Sequence, residues 1–168
     1  MARPRTQTDS AVFAHLLECL AHSGEKSVSF GKIAAVCGLA PATLAQRFGS
    51  IDGMIRAALL FEWKRLSDAV ETTESEALVS AKGAQALLKH LPTPSAQVMA
   101  LSLRDDALRA AAEDWRVQVE TALAARRGGG AKGKEAAALI FAAWQGRQMW
   151  EAAGGKSFRL SDMLKAMP

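Results

Sequence analysis

The sequence predicts an all-α protein, and three observations indicate this. Hydrophobic residues make up 49% of the 168-residue chain, with alanine abundant and β-branched residues few. Apolar positions recur at helical spacing along most of the chain, and no stretch alternates as a half-buried strand does. A chain of this length can bury one ample core, or divide into one small and one medium domain.

A first helix is predicted from about residue 9 to residue 22. Apolar side chains repeat on one face of it, at Val12, Phe13, Leu16, Leu17 and Leu20. The loop over residues 23–26 separates it from the next element.

Two short helices joined by a glycine turn are predicted next. Ser29 stands at the N-cap position of the first, and Gly38 ends it because glycine adopts a left-handed conformation without steric cost. Pro41 suits the first turn of the second helix, where no backbone donor is needed. Leu44 and Phe48, four residues apart, face the first helix. This pattern is typical of a helix-turn-helix.

The outer face of the second short helix carries the candidate DNA contacts. Gln46 and Arg47 are long enough to reach base edges or phosphates, Thr43 can donate to a phosphate, and Ala42 can touch a thymine methyl. In the preceding helix, Lys32 and the cap residue Ser29 are candidate contacts to the DNA backbone. The alternative is a three-helix bundle with no nucleic-acid role.

Charge supports this division of the chain. The first 66 residues hold eight Lys or Arg and five Asp or Glu, and so carry +3 of the formal net charge of +4. A basic N-terminal segment on a near-neutral remainder is typical of a DNA-binding domain attached to a domain with another task. We predict a DNA-binding domain over residues 1–50 and a second domain over residues 51–168.

A long helix is predicted from residue 51 to about residue 72, with Ser50 as its cap. Its apolar positions are too many for one face, so it is expected to pack against the N-terminal domain at one end and the second domain at the other. The polar run at residues 72–76 indicates a bend or a break. Further helices are predicted near residues 80–90, 95–103, 105–127, 134–153 and 160–167, separated by proline and glycine signals.

Small residues recur every four positions in the penultimate long helix, at Ala138, Ala142 and Gly146, with Met149 beside them. Such a stripe lets another helix approach closely. It is equally compatible with a contact inside the chain and with a dimer interface.

Signals for catalysis, cofactors and membranes are missing from the sequence. The three histidines are scattered, no metal-ligand spacing is found, and no constellation of an enzyme can be assembled. We therefore predict no catalytic residues, no bound metal and no cofactor. No apolar run approaches the roughly 20 residues that span a bilayer, and no signal peptide is evident. The expected location is the cytoplasm.

Residues 9–66 also resemble the DNA-binding region of the TetR (tetracycline-repressor-like) family of bacterial regulators. The residues that match the family pattern are Ile33, Ala34, Gly38, Leu39, Thr43, Leu44, Phe48, Ser50, Asp52 and Met54. Three positions depart from it. Ala45 replaces a phosphate-contacting tyrosine, Ile51 replaces a lysine, and Ala40 replaces a serine; these changes spare the core and bear on affinity for DNA.

The resemblance implies a homodimer formed by the last two helices, which favours the dimer interpretation of the small-residue stripe. It also implies a pocket for a small apolar effector. The candidate lining residues are apolar and aromatic side chains that at helical spacing usually form a core: Trp63, Met99, Leu103, Trp115 and Trp144. The expected function is a repressor that binds a near-palindromic operator in double-stranded DNA and is released by the effector. The alternative is a helical ligand-binding or interaction protein that has lost DNA binding.

Overall fold

The prediction of an all-α protein is confirmed. The computed structural model describes residues 7–77, 83–155 and 159–166, and within these ranges no residue lies in a strand. The helices are α1 (Asp9–Ser23), α2 (Phe30–Cys37), α3 (Pro41–Phe48), α4 (Ile51–Ala77), α5 (Gly83–His90), α6 (Ala96–Ser102), α7 (Asp106–Ala125), α8 (Gly130–Trp150) and α9 (Leu160–Ala166). Short 3₁₀ turns lie at Glu25–Ser27 and Glu151–Ala153.

The chain divides into two compact units. Unit 1 contains residues 1–63 and 97–109, and unit 2 contains residues 64–96 and 110–168. The boundary between the units therefore runs through α4 and α7. The sequence-based division began the second domain at residue 51, whereas contacts place the first half of α4 and the segment 97–109 with the N-terminal helices.

Helices α2 and α3 pack against α1. Val12, Leu16 and Leu20 of α1 are buried, as are Ile33 of α2 and Leu44 of α3. Complete burial of one such side chain stabilises the fold by about 1.5–3 kcal/mol. Rings complete this core, because Phe13 contacts Phe48 and Phe61 with centroids 5.6 and 5.4 Å apart.

A left-handed glycine closes the turn between α2 and α3. Gly38 has φ 66° and ψ 33°, and the Leu39 N–H donates to the Ala34 carbonyl at 2.9 Å. The Gly38 N–H donates to the same carbonyl, so both N–H groups of the turn are paired at the end of α2. Because residues with a Cβ rarely adopt this conformation, Gly38 fixes where α2 ends and where α3 begins.

The turn between α3 and α4 depends on a second glycine. The Gly53 N–H donates to the Ser50 hydroxyl at 2.9 Å, so Ser50 caps α4 as predicted. A Cβ on Gly53 would lie 2.4 Å from the Phe48 carbonyl oxygen. Atoms at this distance overlap, so the close approach of α3 to the start of α4 requires glycine at this position.

The predicted weakening of α4 at residues 72–76 was wrong, because the helix continues to Ala77. The Thr72 hydroxyl donates to the Asp68 carbonyl at 3.1 Å within the helix, and Thr73 is buried. The intrinsic cost of a threonine in a helix is only a few tenths of a kcal/mol to about 0.7 kcal/mol. Burial of apolar surface readily exceeds that cost.

A buried hydrogen bond joins α4 to α6 inside unit 1. The Trp63 indole N–H donates to the Ser102 hydroxyl at 2.8 Å, and this hydroxyl donates to the Val98 carbonyl at 2.7 Å. Both side chains are almost fully buried. The pair thus fixes the middle of α4 against α6 with its polar atoms satisfied.

Asp105 caps α7 and binds α4. Its carboxylate accepts from the Leu108 N–H at 3.0 Å and from Arg56 Nε at 2.9 Å. Both bonds lower the pKa of the Asp105 carboxyl, and the bond from the Leu108 N–H contributes the most. The carboxylate therefore stays charged at neutral pH and complements the positive end of the α7 dipole.

Unit 2 is organised around an aromatic cluster between α7 and α8. The Trp115 and Trp144 rings have centroids 6.4 Å apart, and Phe141 packs edge-on to both at 5.8 and 6.2 Å. The turn from α7 to α8 brings Gly133 close to the Ala124 carbonyl, 3.3 Å from where a Cβ would stand. Arg127 joins this turn to α9 by donating from Nη2 to the Leu164 carbonyl at 2.6 Å.

Candidate nucleic-acid interface

A segment without acidic residues forms α2, α3 and their flanking turns. Between residues 26 and 51 the sequence contains Lys26, Lys32 and Arg47 and no Asp or Glu. The exposed positions of α2 and α3 are therefore neutral or basic. No carboxylate of this segment opposes the approach of a phosphate backbone, and the Asp9 carboxylate of α1 is paired with Arg47 at 3.3 Å.

Ser29 and Lys32 lie together at the start of α2. The Ser29 hydroxyl accepts from the Lys32 N–H at 3.2 Å, which is the predicted cap. Both residues are exposed. The Lys32 ammonium has no ion-pair partner among the residues that the structure describes, so it is available to a phosphate.

The first turn of α3 presents small residues to solvent. Ala42 is exposed and Thr43 is half-buried. The N-cap residue Ala40 supplies no side-chain hydrogen bond, so the first turn of α3 lacks an internal acceptor of that kind. Backbone N–H groups in this position, at the positive end of a helix dipole, favour a phosphate oxygen.

Gln46 and Arg47 differ in what they contact. Gln46 is exposed and is free to offer its amide to a base edge. Arg47 Nη1 donates to the Gln7 carbonyl at 3.0 Å and to the Asp9 carboxylate at 3.3 Å. Arg47 therefore ties α3 to the start of α1. The sequence pattern did not indicate this contact, because the partners lie about 40 positions away.

The predicted effector residues are divided between the two units. Trp63, Met99 and Leu103 belong to unit 1, and Trp115 and Trp144 belong to unit 2. Trp63 is buried and its indole N–H donates to the Ser102 hydroxyl. Met99 is half-buried, and Leu103 is 57% exposed. Trp115 and Trp144 meet in the aromatic cluster. The two cavities found in unit 2 are lined by other residues.

The predicted dimer residues share the outer face of α8. Ala138 and Ala142 are exposed, and Met149 is 65% exposed. A Cβ on Gly146 would meet no atom within 4 Å among the described residues. Leu139 and Trp150, on the same face, are also exposed. The small-residue stripe is thus left uncovered by the residues that the structure describes.

The described residues include both cysteines and all three histidines of the chain. They contain no group of three His, Cys, Asp or Glu side chains able to hold a metal ion. Burial raises the pKa of the Cys37 thiol, which keeps it protonated and unreactive. In the described ranges, no helix has the length and apolar character needed to cross a bilayer.

Comparisons with protein-family models, with curated proteins and with solved structures find no match for this chain.

Proposed function

We propose that the chain is a TetR-like DNA-binding transcriptional regulator that represses by binding a near-palindromic operator as a homodimer. One observation carries the proposal. The outer surface of α2 and α3 exposes Lys32, Ala42 and Gln46 and lies within a segment that has no acidic residue. Basic and amide groups on a short exposed helix are suited to phosphates and base edges in a major groove.

The arrangement of α1, α2 and α3 supports a helix-turn-helix head. The turn from Gly38 to Ala40 is short, and Leu44 is buried while Gln46 is exposed. In such a head α3 is the recognition helix and α2 crosses the DNA backbone. The long helix α4 then joins the head to a C-terminal helical bundle.

Dimerisation is supported by the uncovered stripe on α8. Small residues at its centre permit close approach of a second helix, and Met149 and Trp150 at its edge offer apolar surface. A twofold axis would place two recognition helices about 34–36 Å apart, as successive major grooves require.

A small apolar effector would act through α4 in this proposal. Trp63 lies at the point where α4 passes from unit 1 to unit 2, and its indole is held by Ser102. An effector can shift the orientation of the heads only by its difference in affinity for two arrangements. Coupling of about 1–3 kcal/mol would weaken operator binding roughly 5–150-fold.

One observation favours a second candidate, a helical ligand-binding or interaction protein that has lost DNA binding. Arg47 is engaged by Gln7 and Asp9, which removes its guanidinium from immediate use in DNA contact. Ala45 and Ile51 also lack the phosphate-contacting groups that the TetR pattern has at these positions.

A gel-shift titration separates the two candidates. The full chain is titrated against the duplex upstream of its own gene and against a duplex of shuffled sequence. We expect a retarded complex with the upstream duplex, and Gln46→Ala should weaken it by about 1–3 kcal/mol for each base that the glutamine binds. Gln148→Ala is the matched control, since Gln148 is exposed on α8. Absence of any complex at low salt would support the second candidate.

A further inference from the structure

A cavity of about 280 Å³ lies in unit 2 among the first turn of α5, the end of α7 and α9. Its lining residues come from three separate parts of the sequence: Gly83, Ala84, Gln85, Arg126, Arg127, Ser161, Leu164 and Lys165. A volume of this size can hold several water molecules. It can hold a small organic molecule.

The charged side chains among the lining residues of this cavity have one sign. Arg126, Arg127 and Lys165 are cationic, and none of the lining residues is acidic. The carboxylate of Asp162 contacts the lining residue Ser161 at 3.4 Å, but Asp162 itself is exposed. The cavity therefore has a positive potential that favours an anion.

Arg127 has hydrogen-bonding capacity that the described residues do not use. Its Nη2 donates to the Leu164 carbonyl at 2.6 Å, whereas its Nε is buried and has no acceptor among the described residues. A buried N–H without an acceptor is unfavourable. A carboxylate or phosphate is the acceptor that best matches the planar guanidinium.

We propose that this cavity binds a small molecule bearing a carboxylate or phosphate group. The anion accepts from Arg127, while the exposed Lys165 ammonium neutralises its charge and Ser161 supplies a hydroxyl. The first turn of α5 adds the positive end of a helix dipole. None of the five predicted effector residues lines this site, so it is distinct from the predicted effector pocket. It concerns unit 2 alone and does not depend on DNA binding.

Nuclear magnetic resonance titration of the full chain tests the proposal. The probes are inorganic phosphate, succinate and, as a neutral control, glycerol, at constant ionic strength. We expect saturable shifts of the Gly83, Ala84 and Ser161 amide signals with phosphate or succinate and none with glycerol. The anion with the lower dissociation constant identifies whether the site prefers a phosphate or a carboxylate group. If neither anion gives saturable shifts of these signals, the proposal is wrong.

Variants sharpen the test. Arg127→Lys keeps the charge but removes the guanidinium, and should weaken anion binding about tenfold or more. Lys165→Gln changes an exposed residue, so it should leave the fold intact while weakening binding several-fold. Lys134→Gln on α8 is the matched control, because Lys134 is exposed and does not line the cavity. Lys134→Gln should bind the anion as the wild type does. If Lys165→Gln also binds it with wild-type affinity, the site lies elsewhere and the proposal is wrong.

Discussion

The outer faces of α2–α3 and of α8 are both exposed, yet they differ in chemistry. The first presents Ser29, Lys32 and Gln46 within a segment free of acidic residues. The second presents Ala138, Ala142, Gly146 and large apolar side chains, of which Trp150 is 64% exposed. Both faces lie opposite a well-buried core face of their own helices.

This difference indicates different partners. Polar and basic groups are well solvated, so their burial under another protein surface adds little binding free energy. Their contact with phosphates does favour binding, because counterions are released from the DNA. An exposed Trp and Met beside small residues gain free energy when covered, because apolar surface leaves water. We therefore propose DNA as the partner of the α2–α3 face and a second copy of the chain as the partner of the α8 face.

The largest expected effect is the loss of the dimer. Gly146→Leu places a bulky side chain in the stripe through which the second copy approaches, and should convert a dimer into a monomer. The monomer should stay folded, since a Cβ at this position meets no atom within 4 Å among the described residues. Sedimentation at micromolar concentration measures the change.

Gln148→Leu is the matched control for this experiment. Gln148 is exposed on α8 but lies outside the stripe, so the variant should remain dimeric. If the wild-type protein sediments as a monomer, the α8 face is not a dimer interface and the proposed difference in partners is wrong.

A smaller effect is expected from disturbing the support of α3. Gly53→Ala forces a Cβ to within 2.4 Å of the Phe48 carbonyl oxygen unless the turn shifts. Overpacking of this kind costs about 1–3 kcal/mol of unfolding free energy. Denaturant unfolding measures this decrease.

Gly31→Ala is the control, because Gly31 lies inside α2 and a Cβ there meets nothing within 4 Å. Replacing a helical glycine by alanine should stabilise the chain by about 0.5–1 kcal/mol. Equal effects of the two substitutions would mean that the α3–α4 turn is not tightly packed.

Local signals allowed much of the first unit to be predicted from the sequence. Ser29, Gly38 and Pro41 act on the backbone within a few residues. The start and end of α2 and the start of α3 lie where these residues predict. The apolar faces followed from helical spacing for the same reason. The role of Gly53, which is to admit the Phe48 carbonyl, was not predicted, because no local pattern encodes this contact.

Contacts between distant residues account for what the sequence did not predict. The hydrogen bonds of Arg47 to Gln7 and Asp9 were not predicted, because these partners lie about 40 positions away. The role of Arg47 as a DNA contact stays a prediction. The cationic cavity combines residues near positions 84, 126 and 164, which have no recognisable spacing. Likewise, α4 continues past its threonines because Thr73 is buried, and burial depends on tertiary structure.

The salt dependence of duplex binding tests the central assignment most directly. Fluorescence anisotropy of a labelled duplex is measured from low to physiological salt for the wild type, Lys32→Ala and Lys132→Ala. Both lysines are exposed, one on α2 and the other on α8. We predict that affinity falls as salt rises and that Lys32→Ala alone reduces the logarithmic slope, by about one for each protomer. Equal slopes for the two variants, or no binding at low salt, would contradict the assignment of DNA to α2–α3.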